Sequence, residues 1–217
     1  MKYLLITLIT LTIISCKSPQ LFSENSAKNA MKENELTTSE KEIINEFLAL
    51  ELAKDLYSKY RNLEIFVIEE ALKKSQLVDA YHYSIGEWNS MNQIKKSEDL
   101  NKLYFIDSIQ LNNIKKEIAF ETPYLWKESD FNFIKTKMVK HEALRSMINA
   151  RNKEMVTMKP ILDLSRPLLI NDSNALISFE MGNFQGVYNS TAHFTVLLRK
   201  INHKWVEYGY YEDGVFN

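Results

Sequence analysis

Hydrophobic and polar positions change rhythm three times along this chain, and each change predicts a different kind of segment. Tyr3 to Ile14 is a nearly unbroken apolar run behind Met1 and Lys2. Its length suits a secretory h-region, roughly 7 to 15 residues, and falls short of the about 20 that a membrane-spanning helix needs. Farther on, Ile43, Ile44, Phe47, Leu48, Leu52, Leu56, Tyr57 and Tyr60 recur at helical spacing, with Glu46, Lys54, Asp55 and Lys59 on the other side. An apolar stripe of this kind predicts a long amphipathic helix. Ser39 followed by Glu42 predicts its start, the serine accepting from an early backbone N–H and the glutamate reaching back to the cap.

Between Leu63 and Ile118 the rhythm is mixed. Ile65 to Ile68 reads either as a buried strand or as more helix, because periodicity does not arbitrate short apolar runs. Ala71 to Lys74 favours helix. Tyr81, Tyr83 and Ile85 alternate with His82 and Ser84 and predict a strand before Gly86, whereas Ile109 to Ile118 returns to a helical pattern. Phe131 to Val139 predicts a strand leading into a short helix from His141 to Ala150.

The C-terminal third has a two-residue period. Ala175, Ile177, Phe179 and Met181 form one strand face, and Ala192, Phe194, Val196 and Leu198 form the next. Asn202 and His203 turn the chain into a third strand, Lys204 to Tyr211, and Pro167 to Ile170 supplies one more through the turn "NDSN". The fold class is therefore α+β: a long N-terminal amphipathic helix and a mixed middle region packed on a C-terminal antiparallel meander of about four strands.

The lone cysteine, Cys16, stands directly after the apolar run in "TIISCKS". Ile13, Ile14, Ser15 and Cys16 resemble the lipobox of bacterial lipoproteins, and that resemblance implies lipidation at Cys16 and cleavage before it. With one cysteine there is no intramolecular disulfide. Residues 1–15 read as a signal peptide, 16–38 as a lipidated cysteine and flexible tether, and 39–217 as a single globular domain. The tether, rich in Ser, Asn, Lys and Glu, reaches on the order of 25 Å. Lys17, Ser18, Pro19 and Gln20 lack the acidic run typical of surface-exported lipoproteins in Bacteroidota, which points to the periplasmic side.

Charge removes one class of partner. Loss of Lys2 with the signal leaves the 27 basic residues one fewer against 28 acidic, a mature net of about -2. Such a balance gives no electrostatic reason to bind nucleic acid. The 45% hydrophobic and 25% charged content is that of a globular domain.

Candidate chemistry is sparse. With five glycines and neither G-x-G-x-x-G nor G-K-[ST], nucleotide sites of the familiar kinds are not expected, and no cofactor is implied. "HEALR" misses the zinc motif H-E-x-x-H because Arg145 stands where the second imidazole would ligate. His193 lies in a strand between Thr191 and Thr195, opposite in face to Phe194, as a solvated residue or a general base. Ser165 lacks a nucleophile elbow. Glu128 and Asp130 follow Trp126, and Asp213 follows Tyr210 and Tyr211. Paired acids beside aromatics hold or cleave sugars when their separation is right, although aromatics at strand spacing are more often core or cross-strand pairs.

"LSRPLLINDSNALISFEMG", "HFTVLLRKINHKWVEYGYYED" and "WKESDF" together resemble a group of Bacteroidota envelope lipoproteins. The shared features fall on Ser165, Pro167, Asp172, Ala175 to Ile177, Leu197 to Lys200, Asn202 and Lys204 to Trp205. Where many of those proteins carry a glycine-rich loop between the last two long strands, this chain has "NFQGVYNST". The resemblance implies an envelope address and a terminal meander; it brings no activity and no catalytic residue.

The leading expectation is a non-catalytic binding or scaffolding domain, attached to the membrane through its N-terminal lipid, facing the periplasm and engaging another envelope protein. Trp126, Glu128, Asp130, His193, Tyr210 and Asp213 are the candidate binding residues, and Cys16 the lipidation site. One alternative is a small hydrolase or carbohydrate-processing enzyme using Glu128, Asp130 or His193 beside Trp126. The other is an inhibitor or immunity-type lipoprotein.

Overall fold

A computed structural model describes residues 35–92, 106–132, 134–149, 159–184 and 188–211, which apart from Glu35 belong to the unit Leu36–Asn217. Helix α1, Thr38–Glu51, begins at a capping box. Its cap is Thr37, whose hydroxyl accepts from the Glu40 N–H at 3.2 Å while the Glu40 carboxylate accepts from the Thr37 N–H at 2.8 Å. The start is thus earlier than the Ser39–Glu42 pair predicts. Both pairs have the right spacing, but Glu40 also receives two bonds from Arg166, 2.6 Å from Nε and 3.0 Å from Nη2, and that tertiary contact decides the register.

The helix also ends sooner than its apolar stripe. Lys54 adopts extended backbone and a 3-10 turn, Asp55–Tyr60, follows. Residues three apart eclipse in a 3-10 helix, so Tyr57 and Tyr60 both enter the core, while Leu56 is left 53% exposed. A second correction falls on Tyr81, Tyr83 and Ile85, which lie in helix α2, Lys74–Asn92, and not in a strand. Tyr81 and Ile85 are four apart and share a helical face with Leu77 and Val78, and Tyr83 points away, partly exposed. Helices α3, Ser108–Ile118, and α4, His141–Asn149, stand where the sequence predicts them.

Among the described residues seven strands form one mixed sheet: β1 Ile65–Ile68, β2 Thr136–Val139, β3 Lys159–Leu164, β4 Leu168–Asn171, β5 Asn174–Phe184, β6 Tyr188–Ile201 and β7 Lys204–Tyr211. The order is β2-β1-β3-β5-β6-β7, with β4 also paired to β5. β4 to β7 are the expected antiparallel meander. Asn202 and His203, at φ 51 and 65, make the two-residue turn whose twist matches a hairpin. β1 runs parallel to both β2 and β3, and all four of its residues are buried, as a parallel strand covered on both faces requires.

Helices cover both faces of this sheet. On the first, α1 sets Ile43, Ile44, Phe47 and Leu48 against Ile177, Phe179, Val196 and Leu198, with the Phe47 ring edge-on to Phe179 at 5.5 Å. On the second, α2 and α3 bring Leu77, Val78, Tyr81 and Leu111 over Leu176, Leu197 and Tyr211. Also on the second face, Leu144 of α4 packs over Phe66, Ile68, Val139 and Ile161.

Candidate functional site

Between these two apolar patches the second face turns polar. Asp163 of β3 lies directly opposite Glu180 of β5, which lies opposite His193 of β6. In the adjoining row Ser178 and Thr195 face each other, their hydroxyl oxygens 2.6 Å apart. Opposed residues in an antiparallel pair have Cβ atoms about 5 Å apart, so Glu180 is within reach of both an acid and an imidazole. The row exists because strand alternation, which sends Leu162, Leu164, Phe179 and Val196 to the α1 side, sends these residues to the other.

Over the row lies a cleft of about 600 Å³, within the range of small-molecule sites. Glu180, His193, Ser178 and Thr195 form its floor, and Asp79 and Tyr83 of α2 belong to its wall. Asp163 stands beside this floor, 7% exposed, and its Oδ1 is buried without a hydrogen-bond partner. The other carboxylate oxygen is 4.0 Å from Nε2 of His141, the first residue of α4. Burial, then the Glu180 carboxylate and more weakly that of Glu70, push the Asp163 acid up to about 7, against a bond from the Leu164 backbone. Near neutrality Asp163 therefore retains protonated character that an exposed aspartate would have lost.

The sequence-predicted residues are not brought together. Trp126 is 2% exposed on the α1 side, its indole N–H donating to the Leu164 carbonyl at 3.1 Å and its ring between Tyr124 and Phe131. Asp130 is buried beside it, accepting from the Tyr124 hydroxyl and the Lys127 N–H, both at 2.9 Å. These bonds hold a 3-10 turn, Glu128–Asp130, on which Glu128 is exposed. His193 is on the opposite sheet face, so the grouping of His193 with Glu128 and Asp130 beside Trp126 is corrected. Tyr210, 46% exposed, donates to Glu207 at 2.5 Å and accepts from Lys54 at 2.7 Å. Burial and then Glu207 push its phenol up to about 12. Cys16 and Asp213 lie outside the described residues.

Sequence pattern does not single out Asp163, Glu180 or Ser178, and it offers His141 only as one end of the incomplete zinc motif "HEALR". "KPILDLS" carries a single acid inside an apolar strand, and that is the available signal. A slightly larger hollow, about 660 Å³, opens between the end of α1 and β1. We place the site at the polar row instead, because the principal cation of the larger hollow, Arg61, is already bonded to the Ala53 carbonyl at 2.6 Å and lies 3.7 Å from Asp55. No protein-family model, curated protein or solved structure matches the chain.

Proposed function

We propose that this chain is a lipid-anchored cell-envelope protein, a member of the lipoprotein group it resembles, whose domain serves as a binding module facing the periplasm. The observation that carries the binding half is the polar row on a sheet face that helices cover on either side. A solvated row of this kind needs no explanation on an open sheet, but beneath α2 it lines a cavity of ligand size. The anchoring half rests on Cys16 and the apolar run before it.

Binding is favoured over hydrolysis by how the hydroxyls are used. Ser178 and Thr195 bond to each other, so neither hydroxyl is paired with the His193 imidazole as an activated nucleophile requires. Sugar cleavage by Glu128 and Asp130 loses its footing, since Asp130 is consumed by two structural bonds and Trp126 has no open face.

Expression of the full chain beside Cys16→Ser tests the anchor. Intact mass should show an acylated N-terminal cysteine in the membrane fraction, and Cys16→Ser should lose the acyl mass and shift to the soluble fraction. Unacylated wild-type protein, distributed like the variant, overturns the reading.

A further inference from the structure

We infer that the segment from Glu51 to Tyr60 is a proton-operated strap, fastened to β7 while Glu51 and Glu207 share a proton and loosened when that proton leaves. The inference stands apart from the polar row. Its first ground is how the strap is built. α1 stops at Glu51, Lys54 is extended, and no side-chain bond caps the 3-10 turn that follows. This break lets one ammonium reach across: Lys54 Nζ bonds to Glu51, to Glu207 Oε1 at 3.1 Å and to the Tyr210 hydroxyl at 2.7 Å. The Glu51 side chain is 2% exposed and that of Glu207 17%, so two carboxylates withdrawn from water share one cation. The second ground is where the strap lies. Leu52, Ala53, Tyr57 and Tyr60 line the hollow of about 660 Å³, together with Ile65 and Ile134. Loosening the strap therefore moves one wall of that hollow.

Charge decides when the strap holds. Two carboxylates bond to each other only with a proton between them. With both ionised, Lys54 leaves one negative charge in excess, which a buried site disfavours. Burial, opposed by Lys54 and aided by the bond to Glu207, pushes the Glu51 acid up. Burial acts on Glu207 as well, but its bonds to Tyr210, Glu51 and Lys54 hold it below its usual range, so the shared proton belongs to Glu51. The raised acid weakens the strap as pH climbs from about 4.5 through the higher folded value of Glu51. The lowered one stabilises above the ordinary carboxyl value and loses that effect as pH falls through its folded value, so the strap is firmest in mild acid. Lys54, Tyr57, Glu207 and Tyr210 are the titratable groups that face Glu51. Against burial, its bonds to Glu51, Tyr210 and Glu207 keep Lys54 charged, and burial first of all keeps both phenols neutral. Glu51 is thus the group whose charge changes as pH rises.

Amide hydrogen exchange on the full chain in mild detergent, corrected for intrinsic rates at about pH 5 and about pH 8, tests this. The reporters are the Lys54 and Tyr57 amides, which donate to the Glu51 and Lys54 carbonyls at 3.1 and 3.0 Å. Amides of Ile177 and Val196, paired in the middle of the sheet, report global opening. Protection at the strap should fall about tenfold from the lower pH to the higher, relative to the sheet. Glu51→Gln donates to Glu207 without a titrating proton and should hold its protection at both. Asp163→Asn should keep the fall, because that acid acts on the sheet and not on the strap. Should Glu51→Gln fold poorly, Glu207→Gln leaves one acid against one cation and should remove the fall as well. Strap protection that does not change with pH, that changes only as the sheet amides do, or that falls equally in Glu51→Gln and Glu207→Gln overturns the inference.

Discussion

At Asp163, burial and the Glu180 carboxylate act in one direction, so the folded chain holds a proton that the unfolded chain has released above its ordinary 3.8. A raised carboxyl pKa lowers stability as pH climbs through the window from about 4 to about 7, at no more than about 1.4 kcal/mol per pH unit. Below that window the contribution vanishes, and above it the penalty is complete. Urea midpoints of Asp163→Asn against the parent should therefore diverge with pH, the variant being more stable at pH 8 and not at pH 4. Parallel profiles would show that Asp163 has an ordinary acidity. The same residue shows what one sequence conceals. Its charge in "KPILDLS" is visible, but whether a strand's polar positions face water or lie under a helix depends on α2 and α4, which are distant in sequence.

Elements are fixed by a few contacts that local pattern does not contain. α1 is held by the Glu40–Arg166 pair, in which both side chains are largely buried. Burial pushes the Glu40 carboxyl up, but Arg166 and the Thr37 N–H together hold it below its usual range. Its contribution is therefore present above the ordinary carboxyl pKa and is lost as pH falls through the lower folded value. Glu40→Ala should cost about 3 kcal/mol in denaturant unfolding at pH 7, because a largely buried guanidinium loses its partner. The cost should shrink toward pH 3. A pH-independent difference would assign the loss to the cap alone.

Helix α2 offers a prediction of opposite sign. An added Cβ on Gly86 meets nothing within 4 Å. Gly86→Ala should raise stability by about 0.4 to 1 kcal/mol, by restricting the unfolded chain and favouring helix; a loss would mean that the backbone there is not helical. The strand expected around Tyr83 arose because a three-residue alternation also fits one helical turn and its neighbour, and only a longer window separates the two.

For the whole molecule, the antiparallel half of the sheet was legible and the parallel half was not. β4 to β7 are consecutive, joined by short turns at Asp172–Ser173 and Asn202–His203, so alternation and turn chemistry suffice. β1, β2 and β3 are short runs from distant parts of the chain, and no local signal states that Phe66 pairs with both Lys137 and Ile161. The candidate site sits on that seam, where β3 of the parallel half meets β5 of the meander. Its residues read as unrelated polar positions until the register aligns them.

The central claim, an anchored domain with a binding cleft, meets its most direct test in native mass spectra of full-length protein extracted from its own membranes in mild detergent. The account predicts an acylated Cys16 N-terminus and a non-covalently bound ligand or partner that Glu180→Gln loses. An unacylated chain, or an adduct that Glu180→Gln retains unchanged, contradicts it.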